Sequence, residues 1–440
     1  MANNPNAAPA AAMRFLDLPE DVLVKVLGRL ELRERLTHVA LACRRLRDLC
    51  SSPELLRTVS VRATPANSLP TASALVTWLG RHAAHVQKLQ LVVPGPAAAG
   101  AEQRELAFNL VACVTLCGTV GQLQELVLAS NTPPAPVSWL HAMHSLRRLT
   151  VHSAAEVRLA GDAGGLTALQ EMHLQGGTIV FEGTARLPSS LTRFYLNGAT
   201  ANEFPQQLAR LPLLRHLRLT GAQYSSASMA ALSRLTALTF LELCDTHHAP
   251  PAALATLTGL RHLNIMLPTL QMPAQLEQLS HFVHLKGLSR GNVGCIPPAL
   301  GSLTQLERLC ILNDGVAAQA GSELALPLPH SLRSLRFLCL NWCTAAAGAP
   351  ALAAMPALEE LYMPLPPGRH GVTNEVWVAF WAWAVAHPPL RRLCLNWPSG
   401  CTPELAQQLL QVQRRRPALH VDVVGVDEFP RQFMPVFNPY

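Results

Sequence analysis

A six-residue apolar pattern that recurs along most of the chain limits what this sequence can fold into. The pattern is L-x-x-L-x-L, with Val, Ile, Met or Phe accepted at the apolar places. Clear copies begin at Leu123, Leu146, Leu169, Leu191, Leu214, Leu238, Leu260, Leu306, Leu335, Leu358 and Leu390, and weaker ones at Val86, Leu285 and Leu419. From Leu123 to Leu260 the steps are 22 to 24 residues long. This period predicts leucine-rich repeats, whereas the alternative, a series of ordinary leucine-rich amphipathic helices, does not require it.

The last two apolar residues of each copy are two positions apart, so they point to the same face of a short strand. One copy cannot bury this face alone, and the strands are therefore stable only as a stacked array. The predicted fold class is α/β: a leucine-rich repeat solenoid, or horseshoe, over residues 86–425, with an outer layer of short helical turns. A longer helix is expected around EVWVAFWAWAVAHPP, with Trp377, Phe380, Trp381 and Val385 on one face. Residues 426–440 form a tail that either caps the last repeat or is free.

The sequence before the repeats has a different character. Residues 1–12 are Ala, Pro and Asn apart from the initial Met, and we expect them to be disordered. Pro19, followed by Glu20 and Asp21, predicts a helix start, because the acids face the positive end of the helix dipole. An aliphatic stripe continues this helix, a second helix is predicted over 33–39 and a third over 41–49. Residues 13–60 thus form a three-helix unit, and 61–85 a connector.

This unit resembles an F-box in the order of its short motifs. Leu18, Pro19, Glu20 and Asp21 match the Leu-Pro-acidic opening of that family. The aliphatic stripe follows as Val22, Leu23, Val26, Leu27 and Leu30, and Leu36 is in the second helix. Ala42, Cys43, Arg44 and Arg45 match the Cys-Arg-Arg turn, and Pro53, Leu55 and Leu56 match the close. Leu46 and Leu56 stand where the family often has Trp.

The resemblance implies a substrate-recognition subunit of a Skp-cullin-F-box ubiquitin ligase. The Skp adaptor, and through it a cullin, would be bound by the N-terminal helices, and a protein substrate by the concave face of the repeats. The positions implied in adaptor binding or its support are Leu18, Pro19, Leu23, Val26, Leu27, Leu36, Val39 and Cys43. Two alternatives stay open. The helices could be a cap on the first repeat, and the chain could be a scaffold without a ubiquitin role.

Composition and motifs argue against a catalytic activity of this chain. Phosphate-loop, GxSxG and HExxH motifs are absent, so we expect no enzyme, no cofactor and no metal. The 11 cysteines show no disulfide framework, and no apolar stretch has the length or position of a signal peptide or membrane span. A net charge of +7 is modest for 440 residues, so neither nucleic acid nor membrane is an expected partner. We expect a cytoplasmic protein, with the nucleus as a second compartment. Arg414–Arg416 fits either a nuclear import signal or a helix end.

The third and fifth residues of each copy point away from the core and line the concave face. Read in this way, the second to seventh of the strands that start from Leu123 place basic and aromatic residues together. The predicted substrate patch consists of Arg148, His152, His173, Arg193, Tyr195, His216, Arg218, Phe240 and His262. Such a patch suits an acidic or phosphorylated segment, because charge-assisted hydrogen bonds are strong. The alternative is a solvated polar face without a ligand.

Overall fold

The computed structural model describes the chain in fourteen stretches. They are residues 15–94, 100–130, 143–159, 163–181, 186–200, 208–220, 230–244, 256–266, 287–291, 301–311, 331–340, 352–364, 374–396 and 403–424. The chain divides into two compact units, Met1–Pro188 and Ser189–Tyr440. The predicted disordered N-terminus and the C-terminal tail both lie outside the described residues.

Short helices open the first unit. They are α1 (Glu20–Leu27), α2 (Leu32–Glu34), α3 (Ala40–Ala42), α4 (Arg44–Cys50) and α5 (Pro53–Leu56). A 3₁₀ turn, Phe15–Asp17, precedes α1, and a π-helical turn, Arg35–Val39, joins α2 to α3. Their core contains Leu23, Leu27, Ala40, Leu46, Leu49, Cys50 and Leu55. The predicted start at Pro19 is correct, since Pro19 is the N-cap of α1.

The predicted boundary between the second and third helices is misplaced. Helical structure runs from Leu32 through Ala42, and α4 begins only at Arg44. Cys43 separates the two because its backbone is extended, with φ −160° and ψ 166°. Its sulfur accepts a hydrogen bond from the Leu46 N–H at 3.5 Å and so caps α4. Leu41, expected to open the third helix, instead belongs to the end of the second.

Five parallel strands form the sheet of the first unit: β1 (Thr58–Arg62), β2 (Lys88–Val92), β3 (Glu125–Ala129), β4 (Arg148–Leu159) and β5 (Glu171–Phe181). They pair in chain order. Two helices, α6 (Ser68–His82) and α7 (Ala101–Val120), connect β1 to β2 and β2 to β3. The long interval between the copies at Val86 and Leu123 is thus filled by a 20-residue helix.

Ten strands belong to the second unit. They are β6 (Arg193–Thr200), β7 (His216–Thr220), β8 (Phe240–Cys244), β9 (His262–Met266), β10 (Gly287–Gly291), β11 (Arg308–Ile311), β12 (Phe337–Leu340), β13 (Glu360–Pro364), β14 (Arg392–Asn396) and β15 (His420–Val424). They too are parallel and pair in chain order. Helices α8 (Asn374–Ala386) and α9 (Pro403–Arg415) precede β14 and β15. Parallel strands supplied one per repeat are the leucine-rich repeat fold that the spacing predicts.

Backbone hydrogen bonds repeat from strand to strand and hold the register. The carbonyl at the second place of a copy accepts from two successive N–H groups of the next copy. Gln124 O, for example, accepts from Arg147 N at 2.8 Å and Arg148 N at 3.0 Å. The same fork recurs at the carbonyls of Arg57, Gln87, Arg147, Thr192, Arg215, Thr239, Glu307, Arg336 and Glu359. Equivalent residues of successive copies therefore lie side by side in rows.

All fourteen copies of the pattern carry a strand, and two details differ from the prediction. The sheet begins one strand earlier, because β1 lies across the predicted boundary between 13–60 and 61–85. The last copy is out of phase. Leu393 and Leu395 pair with Val421 and Val423, and not with Asp422 and Val424 as a copy starting at Leu419 requires. One residue is missing between the buried Leu419 and its strand.

Helix α8 is the predicted aromatic helix, although its buried set differs. Phe380, Trp381 and Trp383 are buried, whereas Val385 is half-buried and the Trp377 side chain lies outside the description. Arg416, which directly follows α9, caps the C-terminal end of α8. Its guanidinium donates to the carbonyl oxygens of Ala384 (2.8 Å), His387 (2.5 Å), Pro388 (2.7 Å) and Leu390. The cation thus satisfies carbonyls at the negative end of the dipole. Arg414 and Arg415 lie in the last turn of α9 itself, as the helix-end interpretation of this basic run expects.

His387 gives this end of α8 a pH-dependent stability. Its ring is buried and stacks on Trp383 with 5.2 Å between centroids. Burial, followed by the charge of Arg416, lowers the pKa of His387 below the ordinary value of 6.5. Below that value the unfolded chain binds a proton that the folded chain resists, so the free energy of unfolding falls with falling pH.

In urea unfolding at pH 7.5 and 5.5, His387→Phe should lose less stability than the parent. Exposed His38→Phe is the control, and an unchanged slope in His387→Phe would contradict the assignment.

Candidate interaction surfaces

The eight predicted adaptor positions separate into core and surface. Leu23 and Leu27 are fully buried, so they support the unit and offer no contact surface. Leu18, Val39 and Cys43 pack half-buried against the same core, and Leu36 is also half-buried. Only Pro19 and Val26 of the eight are exposed.

Further apolar side chains reach solvent on these helices. Leu41 at the end of α3 is 68% exposed and Val26 on α1 is 42% exposed. Phe15 and Leu16 of the opening 3₁₀ turn are exposed as well. Large exposed apolar side chains grouped on one small unit are typical of a protein-binding surface. Sequence reasoning missed Leu41, although its position outside the face formed by Leu32, Leu36 and Ala40 was a signal.

Three arginine side chains connect the helical segments of this unit to one another. Arg45 Nη1 donates to Leu16 O at 2.5 Å and thereby ties the 3₁₀ turn to α4. Arg47 Nε donates to Ala40 O at 3.1 Å and holds the end of α3. Arg35 is buried, and its Nη1 donates to Leu55 O at 3.0 Å. The helices that present the exposed apolar residues are therefore joined by side-chain bonds as well as by their core.

On the outward face of the first unit, charges alternate from strand to strand. The row runs Lys88, Glu125, Arg148, Glu171 on β2 to β5, and its members are in register. Glu125 carboxylate oxygens lie 2.8 Å from Lys88 Nζ and 2.7 Å from Arg148 Nη1. Arg148 Nε is also 3.4 Å from Glu171. The predicted patch counted Arg148 as a free cation, but it is shared between two carboxylates.

The two histidines predicted on this face also have partners. His173 is buried, and its Nε2 lies 2.9 Å from Glu171 Oε1 on the same strand. His152 is half-buried with Nδ1 2.7 Å from Gln175 Oε1. A side chain that is buried beside its own partner offers little to a ligand. The first unit therefore does not present the basic surface that the sequence indicated.

In the second unit an ion pair joins the fifth residues of two successive copies. Arg218 Nε on β7 lies 3.0 Å from Glu242 Oε1 on β8, and the Glu242 side chain is almost fully buried. Tyr195 on β6 is in register with Arg218 and is buried as well, contrary to the prediction of an accessible ring. Arg193 remains exposed. Glu242 also faces outward but was left out of the predicted patch, and its carboxylate neutralises Arg218 beside it.

Aromatic rings form the most accessible predicted feature of this unit. His216, Phe240 and His262 stand in register on β7, β8 and β9 and are half-exposed. The ring centroids of His216 and Phe240 are 5.8 Å apart, and those of Phe240 and His262 are 5.9 Å apart. Both distances are within the range of favourable aromatic contacts. A second aromatic group, which the predicted patch does not include, joins β11 to β13. Arg308 lies 4.3 Å from the centroid of the Phe337 ring, and the centroids of Phe337 and Tyr362 are 4.8 Å apart. Both rings are buried, and Tyr362 is in register with Cys339 and not with Phe337.

The described residues show no group suited to a metal. Among them no three His, Cys, Asp or Glu side chains come together as ligands. Burial raises the pKa of Cys113 and Cys117 to about 12, so these thiols stay protonated core residues. Cys343, His247 and His248 lie outside the described residues. Within the described parts of the chain, helices that could cross a membrane are also lacking.

The Arg218–Glu242 pair should matter far more for stability than the Arg148 pairs. Arg218→Met leaves a carboxylate shielded from water, which should lower the free energy of unfolding by about 2–3 kcal/mol. Adding Glu242→Gln should restore more than half of this loss, since the buried charge is gone. Arg148→Met, on an exposed side chain, should cost less than about 1 kcal/mol. Urea unfolding of the four proteins tests this, and equal losses for Arg218→Met and Arg148→Met would refute it.

Comparison with known proteins assigns the N-terminal unit. Residues 15–62 match the F-box-like family. No curated protein sequence matches the chain. An internalin from Listeria monocytogenes is 16% identical with a TM-score of 0.47, covering 76% of this chain and 92% of its own. A leucine-rich repeat protein from Leptospira interrogans is 15% identical with a TM-score of 0.34, covering 84% and 96%.

Scores of this size add nothing to the fold, which rests on the one-strand-per-repeat pairing described above. The helical unit and the repeats together give the domain order that the sequence resemblance implied. The chain therefore carries an F-box-like domain at residues 15–62, followed by leucine-rich repeats.

Proposed function

We propose that this protein is the substrate-recognition subunit of a Skp-cullin-F-box ubiquitin ligase. The F-box-like helices would bind the Skp adaptor, which links them to a cullin, and the outward face of the repeats would bind a protein substrate. In this proposal the chain performs no catalytic step, and it acts in the cytoplasm or the nucleus. A protein-interaction role follows already from the F-box-like domain and the repeats.

One observation carries the proposal. The F-box-like unit leaves Val26, Leu41, Phe15 and Leu16 in solvent while Leu23 and Leu27 fill its core. A mere cap on the first repeat would have no reason to expose a separate set of large apolar side chains, since exposure of such groups is unfavourable. The adaptor is the partner that the F-box resemblance offers for this surface.

Charges placed on this surface should weaken adaptor binding without unfolding the chain. The test compares full-length protein with Val26→Glu/Leu41→Glu in binding to purified Skp adaptor. The affinity should fall by about tenfold or more, which is about 1.4 kcal/mol, because a carboxylate would have to be desolvated in the interface. Leu213→Glu is the matched control, since Leu213 is 54% exposed but lies on the repeats. No binding by the parent would instead favour the scaffold function.

The substrate proposal rests on the second unit. His216, Phe240 and His262 form an accessible row there, and exposed Arg193 is the start of the same row on β6. An extended acidic or phosphorylated segment could lie along this row, where the rings would provide most of the contact. Since Arg148 and Arg218 are neutralised by carboxylates, shape and ring contact should contribute more than charge.

A phosphoserine peptide panel measured by fluorescence anisotropy tests this second step separately from the adaptor. Arg193→Ala/His216→Ala should weaken the tightest peptide by about tenfold, and added salt should weaken the parent, because exposed charges are screened. Arg148→Ala, which removes a cation already held by Glu125 and Glu171, should leave binding unchanged. Binding that survives in the double variant would exclude this face as the peptide site.

A further inference from the structure

Arginine side chains without acidic neighbours surround the starts of β7, β8 and β9. The described stretches 208–220, 230–244 and 256–266 are successive copies of the repeat in the second unit. Their charged residues are Arg210, Arg215, Arg218, Arg234, Glu242 and Arg261. Arg218 and Glu242 pair with each other on the outward face. The other four, which form the arginine edge, are exposed, and within the described residues no carboxylate pairs with any of them.

Two residues of the arginine edge directly precede strands. Arg215 comes before β7, which starts at His216, and Arg261 comes before β9, which starts at His262. Thr239 holds the same place before β8, where its N–H and its hydroxyl donate to Arg215 O at 2.9 and 3.1 Å. The N–H of Arg261 donates in turn to Thr239 O at 2.9 Å. Because neighbouring strands are about 4.8 Å apart, the backbones of Arg215 and Arg261 are about 10 Å apart.

The other two residues of the arginine edge lie in the segments that lead into β7 and β8. Arg210 and Arg234 each stand four residues before the first leucine of their copy. Arg234 is the last residue of a 3₁₀ turn, Ala231–Arg234, and the hydroxyl of Thr256 in the next copy donates to Ser233 O at 3.4 Å. Since equivalent residues of successive copies are neighbours, Arg210 and Arg234 add a second pair of cations.

Later copies of the same unit fill the place before the strand differently. The residues there are Glu307, Arg336, Glu359 and Arg391, so the sign of the charge alternates from copy to copy. Arg336 Nη1 lies 3.8 Å from Glu359 Oε1. This position of the repeat can therefore balance its charges, and at the arginine edge it does not. Neighbouring like charges are unfavourable, so a bound anion would stabilise the arginine edge.

We propose that the arginine edge binds the phosphate groups of a phosphorylated protein segment. The proposal rests on the proposed substrate role of the repeats, because Arg215 and Arg261 adjoin His216 and His262 of the accessible ring row. Charged groups three residues apart in an extended segment are about 10 Å apart, which matches the separation of Arg215 and Arg261.

The residue type also favours phosphate. Every cation of the arginine edge is an arginine, whose planar guanidinium can donate two parallel N–H bonds to one phosphate, whereas a lysine offers a point charge. The ring row has no fixed charge at neutral pH, so it would contact a segment in either form. The arginine edge would then give the preference for the phosphorylated form.

Fluorescence anisotropy with the full-length protein tests the arginine edge. The probe is the tightest peptide of a panel with two phosphoserines three residues apart, and its unphosphorylated form is the reference. Arg215→Gln/Arg261→Gln should weaken binding of the phosphopeptide by about tenfold and leave the reference unchanged. Arg336→Gln/Arg391→Gln is the matched control, since it removes the same charge from the same place in the repeat, and it should leave binding of both peptides unchanged.

The outcomes separate this proposal from the substrate role on which it rests. If Phe240→Ala weakens the phosphopeptide and Arg215→Gln/Arg261→Gln does not, the substrate role stands and the arginine edge is overturned. If the parent binds no peptide of the panel, both are overturned. An equal loss in the control variant would reveal a dependence on net charge alone, and tighter binding of a single-stranded oligonucleotide of equal charge would assign the site to nucleic acid. Either result overturns the proposal.

Discussion

The forked backbone hydrogen bond between successive repeats is the constraint on which the surfaces of this protein depend. Two N–H groups of one copy share a carbonyl of the copy before it, as at Gln124. A slip by one residue would exchange the buried leucines with the outward side chains, so the core enforces the same register. Residues 22 to 24 apart in the chain therefore become neighbours. The chemistry of each outward face follows from which side chains occupy one row.

This register explains how far the sequence predicts the fold. Each copy of the leucine pattern marks a strand and also shows which of its side chains face the core, so the strands were predictable one by one. β1 was missed although the pattern is present as LRTVSV from Leu56, because Leu56 was assigned to the close of the F-box-like unit; Val59 and Val61 pair with Leu89 and Leu91 as in any other copy. The last copy was placed one residue out of phase because Leu419 is buried like the first leucine of other copies, although its strand starts a residue early. The pattern therefore gives the exact position of a strand only where the usual number of residues separates the first leucine from the paired residues.

The outward rows were less predictable for a physical reason. Alternation identifies which side chains point outward, but the effective charge of a side chain depends on its row neighbour. Arg218 looks cationic by itself and is paired once Glu242 is placed beside it. Aligning the copies identifies that neighbour, because Arg218 and Glu242 hold the fifth place of two successive copies, just as Arg148 and Glu171 hold the third. The burial of His173 and Tyr195 could not, since it depends on how closely neighbouring strands bring their side chains together.

The distribution of charge separates the two kinds of surface. On β2 to β5 the charges of Lys88, Glu125, Arg148 and Glu171 stand in one row, and each is paired with its neighbour. On the F-box-like helices, large apolar side chains such as Val26 and Leu41 are exposed instead. Solvation favours charges wherever a surface stays in water, so surfaces that lack them are those that gain by being covered. The adaptor contact that we propose for α1–α3 would therefore depend on apolar contact, whereas the paired charges of β2 to β5 serve to hold neighbouring strands together.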